Sequence, residues 1–310
     1  MSAAIIAITS CPPENAPADA LPVTETAAAA PAPVVEKNMD SVAAEPFGRI
    51  LVEHLRTALR ALLPPVLGML VLIGIWYVAT LKGGSIPGPA QTWAAAKVLF
   101  ADPFYRNGPN DQGIGWNILS SLQRVGIGFG FAALVGIPMG FILGRSPFLS
   151  DMINPIISLL RPVSPLAWLP IGLLVFKKAD PAATYTIFIC SIWPMIMNTA
   201  QGVQRVPQDY LNVARVLALS EWKVVTKILF PAVLPYMLTG IRLSIGTAWL
   251  VIVAAEMLTG GVGIGFWVWD EWNNLKVEHI IIAIFVIGIV GLLLEQGLIL
   301  LAKRFTYETR

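Results

Sequence analysis

Residues 205–231 read RVPQDYLNVARVLALSEWKVVTKILFP, a charged and amphipathic stretch set between two long apolar blocks. Each flanking block is long enough to cross a hydrocarbon core about 30 Å thick, which takes about 20 mostly apolar helical residues. A polar island in that position predicts a loop on the inner face of a membrane, within reach of a soluble partner. Pro207 is placed to open one short helix, and Ser220 to cap a second by accepting a backbone hydrogen bond. The island is therefore expected to form a helix-turn-helix parallel to the membrane, divided at 218–220. Val213, Val216, Leu217 and Val224 are expected to share one apolar stripe, with Arg215, Glu221, Lys223 and Lys227 on the other faces.

The rest of the chain agrees with a membrane setting. Of 310 residues 56% are hydrophobic and 13% charged, with a mean hydropathy of +0.70, which is too apolar for a soluble globular domain. The expected fold is an all-α polytopic bundle of about six transmembrane helices. Five spans read cleanly, at 65–81, 117–144, 182–203, 232–258 and 280–301. The sixth, 152–176, is broken by Pro155, Pro162, Pro165 and Pro170. Prolines at membrane depth are tolerated where neighbouring helices or a water-filled path satisfy the freed carbonyls, so this segment belongs in the interior.

Charge sets the orientation. With the island inside, Arg49, Arg56, Arg60, Arg145, Arg205, Arg215, Lys223, Lys227, Lys303, Arg304 and Arg310 are cytoplasmic, and Lys82, Lys97, Arg106, Lys177, Lys178 and Lys276 are outside. That excess obeys the positive-inside rule and puts both termini in the cytoplasm. Residues 1–45, rich in Ala, Pro, Val and Glu without a periodic apolar face, are expected to be a disordered cytoplasmic tail. Ile8, Thr9, Ser10 and Cys11 look like a lipoprotein cleavage site, but no positive leader precedes them. Residues 46–64 repeat apolar positions at helical spacing and predict an interfacial helix leading into a membrane domain over 65–304. Between the first two spans, 86–89 predicts a rigid turn and 91–100 an amphipathic helix on the outer face.

Asn212-Val213-Ala214, then Ala218, then Ile228-Leu229-Phe230-Pro231 resemble the "EAA, three residues, G, nine residues, I-x-L-P" loop of ABC importer permeases. The spacing agrees at every element. Asn212 stands where that family commonly has Glu, Ala218 where it has Gly, and Phe230 where it has Leu. Ser121-Leu122-Gln123-Arg124-Val125, Gly136-Ile137-Pro138-Met139-Gly140, Leu160-Arg161-Pro162 and Ala254-Ala255-Glu256-Met257 extend the resemblance to the nitrate, sulfonate, taurine and bicarbonate group. Phe176-Lys177-Lys178-Ala179-Asp180-Pro181, Ser191-Ile192-Trp193-Pro194 and the run from Gly260 to Phe266 are most similar to nitrate/nitrite permeases. The resemblance implies a type I importer permease in the bacterial inner membrane, carrying nitrate or nitrite, with bicarbonate or a sulfonate such as taurine as the alternative. It also implies a second permease subunit, usually an identical copy, two cytoplasmic ABC ATPase subunits that hold ATP and Mg, and an external substrate-binding protein. Asn212, Val213, Ala214, Arg215, Ala218, Ser220, Glu221, Lys223, Ile228 and Pro231 are then the residues that couple this chain to the ATPase.

The chain itself is expected to be non-catalytic and without a cofactor. It has no G-x-x-x-x-G-K-[ST] phosphate cradle, and Gly140 to Ser146 lacks both the lysine and the spacing. The Gly261-Val262-Gly263-Ile264-Gly265 run follows an apolar helix rather than a strand, so it does not fit dinucleotide binding. His54 and His279 lack a second ligand at metal spacing, and no basic run suggests nucleic acid. Ionisable groups at membrane depth are costly, which makes Arg161, Arg124, Arg242 and Glu256 candidates for the translocation path, Arg161 foremost because it lies in the proline-broken segment. For Arg124, Arg242 and Glu256 a structural pairing is the favoured role. Trp267, Trp269 and Trp272 belong to an outer loop that could meet the binding protein. A secondary transporter working without ATP would explain the spans, but it has no need of the 205–231 pattern.

Overall fold

The computed structural model describes residues 47–81, 83 and 86–305, and the tail expected at 1–45 lies outside them. The chain divides into two compact units, 1–65 and 66–310. Helix α1 (Phe47–Thr80) is continuous through Pro64 and Pro65, the place where the sequence reading separates an interfacial helix from a span. In the second unit follow α2 (Pro89–Leu99), α3 (Ile114–Arg145), α4 (Pro147–Leu160), α5 (Pro165–Phe176), α6 (Ala179–Gln204), α7 (Gln208–Val216), α8 (Glu221–Val224), a π turn over Val225–Leu229, α9 (Phe230–Thr259), α10 (Ile264–Asn273) and α11 (Val277–Phe305). Among the described residues the β structure is one isolated bridge, Arg106 to Gln112.

Four helical stretches are long and apolar enough to cross a membrane: Leu62–Thr80, Ile114–Arg145, Glu221–Thr259 and Val277–Ala302. The proline-broken segment is a bent pair. Pro147–Leu160 and Pro165–Phe176 meet at 98°, so together they make at most one further span. Ser146 starts α4 by accepting from the Leu149 amide at 3.4 Å, with Pro147 in the first helical position where a missing N–H costs nothing.

Helix α6 has the length to cross, at 26 residues, but falls short in hydropathy, and its surroundings explain why. It packs along α3 on one side and α9 on the other, with α5 alongside, so little of it has to face lipid. Ala182, Ala183, Thr186, Ile187, Ser191 and Thr199 are buried along it. Thr186 donates to the Ala182 carbonyl at 2.9 Å, and Ser244 donates to the Ser191 carbonyl at 2.7 Å, stitching α9 to α6 at mid-length, while the buried Thr199 hydroxyl has no partner among the described residues.

The α3–α6 contact is made at backbone distance. Gly128, Ala132, Gly136, Gly140 and Gly144 recur every fourth residue on α3 and form one edge without bulk, the small-residue pattern by which membrane helices approach closely. A Cβ at Gly140 would lie 2.5 Å from the Thr199 Cβ and 2.9 Å from the Ile196 carbonyl oxygen. One at Gly144 would lie 2.6 Å from the Val203 Cβ. Gly140 and Gly144, in the stretch that does not fit a phosphate loop, serve this packing instead. Gly140→Val is expected to lower the stability of the detergent-solubilised protein by about 1–3 kcal/mol through overpacking. Gly130→Val, on the open side of the same helix with nothing within 4 Å, is expected to leave the thermal midpoint in place.

Candidate functional site

Residues 205–231 close one end of the bundle. Pro207 is the N-cap of α7, as its position in the sequence predicts. The helix ends in a Schellman arrangement: the Leu219 amide donates to the Ala214 carbonyl at 3.0 Å and the Ala218 amide to the Arg215 carbonyl at 3.0 Å. This places Ala218 in the left-handed region with φ 49°, a conformation that favours glycine and strains alanine. Ser220 is the N-cap of α8, but its side chain makes no capping hydrogen bond, contrary to expectation; the first helical bond runs from the Val224 amide to the Ser220 carbonyl at 3.0 Å. The second helix is not a separate surface element either. Glu221 through Thr259 is one helical run, because the π turn carries α8 directly into α9.

The expected apolar stripe is split between two faces. Ala214, Val224 and Leu229 are buried against Val203, Val206, Val233 and Met237, so they seal the loop to its own bundle. Val213, Val216 and Leu217 point away from it, together with Tyr210 and Trp222; Val216 is 86% exposed and Trp222 75%. Amphipathic spacing identifies residues that share a face, and here both faces are apolar. Asn212 accepts from Arg215 Nη1 at 3.2 Å, and Glu221 pairs with Arg145 at the end of α3. Lys223 is exposed, Ile228 half-buried and Pro231 exposed.

Toward the other end of α9 the polar groups form a closed network. Glu256, 1% exposed, accepts from Ser121 Oγ at 2.8 Å, Arg124 Nη1 at 2.6 Å and the Gly265 amide at 3.0 Å. Arg124 also donates to the Val262 carbonyl at 2.8 Å and pairs with Asp180 at 2.7 Å. Asn117 Oδ1 accepts from the Gly263 amide at 2.9 Å and Ser121 Oγ from the Ile264 amide at 3.0 Å. Backbone groups from Val262 to Gly265 are thus held in succession by α3 and α9. The glycines follow from this clasp: Gly260 and Gly261 take φ of 77° and 91°, and a Cβ at Gly263 would lie 2.4 Å from the Glu256 carboxyl carbon. Asn117, Ser121 and Arg124 recur at helical spacing on α3, the sequence signal by which this shared polar face could have been found. In the segment that follows, Trp267 is buried and stacks on His279, while Trp269 and Trp272 are exposed. Burial pushes the Glu271 carboxyl up, but His279 Nδ1 at 3.0 Å and Lys276 Nζ at 3.5 Å outweigh it and hold the group below its ordinary value.

The four ionisable candidates therefore differ in kind. Arg124 and Glu256 neutralise one another within the clasp. Arg242 donates to Glu295 of α11 through Nε at 2.7 Å. Arg161, at the C-cap of α4, has no carboxylate within ion-pair distance among the described residues, and its Nη1 lies 3.5 Å from Met197 Sδ.

The family described as "Binding-protein-dependent transport system inner membrane component" matches residues 136–306. The Nitrate import permease protein NrtB of Synechocystis sp. is 48% identical over 233 residues, which is 75% of this chain and 85% of that protein. The Bicarbonate transport system permease protein CmpB of the same organism is 45% identical over 246 residues, covering 78% and 88%. The Taurine transport system permease protein TauC of Escherichia coli is 34% identical over 240 residues, covering 76% and 86%. A chain from the inward-facing MetNI methionine ABC transporter aligns with a TM-score of 0.53 at 14% identity, covering 62% of this chain and 95% of that one, a likeness of fold. Ala218→Gly is expected to relieve the left-handed strain by about 0.5–1 kcal/mol after the entropy of glycine is counted. Hydrogen exchange at the Leu219 amide should slow about two- to fivefold if exchange proceeds by local opening of this turn.

Proposed function

This chain belongs to the family of binding-protein-dependent transport system inner membrane components, and on that premise we propose that it is the pore subunit of an ATP-driven importer for nitrate or nitrite. The observation that carries the coupling is the two-sided loop: Ala214, Val224 and Leu229 anchor it, and Tyr210, Val213, Val216, Leu217 and Trp222 present apolar side chains on its outer side. Such a surface calls for a protein partner. ATP and Mg chemistry belongs to two ATPase subunits docked there, on the cytoplasmic side, which puts both termini in the cytoplasm. A second copy of the chain completes the pore, and an external binding protein delivers the anion at the α10 end. The chain takes no chemical step itself.

Motion imposed on the loop has a direct mechanical route. Because α8, the π turn and α9 form one helical run, a displacement at Glu221 and Trp222 is carried along α9 toward Glu256 and the clasped 262–265 segment. Paired elements with two discrete arrangements are how small shifts become opening and closing. Of the four charged candidates for the path, Arg161 alone is left to face a substrate anion, while Arg124, Arg242 and Glu256 act by holding helices. Bicarbonate is the second reading, favoured by the 45% identity to CmpB.

Ala214 is unsuited to testing the docking, since a charge there would break the loop's own packing. Val216 and Trp222 are suited. With both replaced by Asp, the ATPase should no longer co-purify, a loss of at least about 2 kcal/mol or roughly 30-fold in affinity for two central contacts, while the thermal midpoint of the permease stays put. Unchanged co-purification would contradict the docking reading.

A further inference from the structure

A cavity of about 450 Å³ lies beside the break between α4 and α5, walled by Arg161, by Cys190, Trp193, Asn198 and Gln201 of α6, and by Thr247 of α9. Cys190 and Thr247 fall in the middle third of helices that run Ala179–Gln204 and Phe230–Thr259, level with the Ser191–Ser244 stitch. The cavity thus runs from the middle of α6, at Cys190, toward its C-terminal end, where Asn198 and Gln201 lie six and three residues before Gln204. We infer that it is a binding site for a small planar oxyanion of the nitrate class, held by the Arg161 guanidinium and the side-chain amides of Asn198 and Gln201; this rests on the reading of the chain as an anion importer.

The chemistry of the wall selects the ligand. A cation at membrane depth with no carboxylate beside it is costly unless an anion or water faces it. Guanidinium offers a planar fork of N–H donors matched to two oxygens of a trigonal anion. Asn198 commits one amide proton to the Pro194 carbonyl at 2.8 Å and keeps the other. Thr247 gives its only hydroxyl proton to the Leu243 carbonyl at 3.0 Å, so it presents lone pairs and an acceptor-only anion must sit on the Arg161 side. Pro194, lacking an N–H, leaves the Cys190 carbonyl without its helical donor, an arrangement suited to a helix that borders a water-filled space.

Cys190 makes the site observable. With Cys11→Ser, Cys190 is the one remaining cysteine of the chain. In membranes carrying the assembled transporter, nitrate should slow modification of Cys190 by a small methanethiosulfonate more than tenfold relative to chloride at equal ionic strength. Arg161→Gln should abolish that protection while the rate with a neutral reagent stays at the parent value, which reports an intact fold, and Arg161→Lys should retain part of it. No reaction at Cys190, no protection by nitrate in the parent, or protection that survives Arg161→Gln would each overturn the site. Uptake of isotope-labelled nitrate separates this from the broader reading. If the parent imports nitrate and Arg161→Gln imports it equally well, the site alone is wrong; if the parent imports none, the nitrate function is wrong.

Discussion

The backbone-distance contact between α3 and α6 is the constraint on which the rest of the structure depends. A helix less apolar than its neighbours is stable in a bilayer only when other helices shield it. The glycine edge of α3 and the flank of α9 provide that shield for α6. Once α6 is enclosed it can carry Ser191 and Asn198 within the bundle, and the bent α4–α5 pair finds a wall to lean on. The 205–231 loop then begins where α6 leaves the bundle, and α9 returns from it.

Buried charge is distributed in a way that follows from the same enclosure. Removing a carboxylate from water without partners is prohibitive, and Glu256 has them in full: a guanidinium, a hydroxyl and a backbone amide. The partners come from α3 and from the segment after α9, so satisfying one charge also fixes the path of 262–265. On a more exposed flank, Arg242 and Glu295 tie α9 to α11. Arg161 breaks the pattern: it lines the cavity beside the α4–α5 break with no carboxylate within ion-pair distance among the described residues.

Much of this was legible in the sequence, for identifiable reasons. The spans at 65–81, 117–144, 232–258 and 280–301 announce themselves because lipid-facing helices must be apolar nearly all round. The loop was legible through its island of charge and through the spacing from Asn212 to Pro231. The 98° bend was not, since prolines mark where hydrogen bonds are lost and leave the direction of the turn to packing. Val213, Val216 and Leu217 share a face as the spacing predicts, but which face meets the bundle is a tertiary fact. Ser220 sits at the N-cap without using its hydroxyl. The partners of Arg124 lie 56 and 132 residues away in the chain, at Asp180 and Glu256, and no local pattern could reveal that they meet.

The central claim is that 205–231 is the hook by which a cytoplasmic ATPase moves a membrane gate, and its sidedness is the most direct measurement. Val216→Cys, in a chain with Cys11→Ser and Cys190→Ala produced without the ATPase subunits that would cover it, should react with a membrane-impermeant maleimide in inside-out vesicles and remain unmodified in intact cells. Modification from outside intact cells would place the loop on the wrong face and remove the ATP-driven account with it.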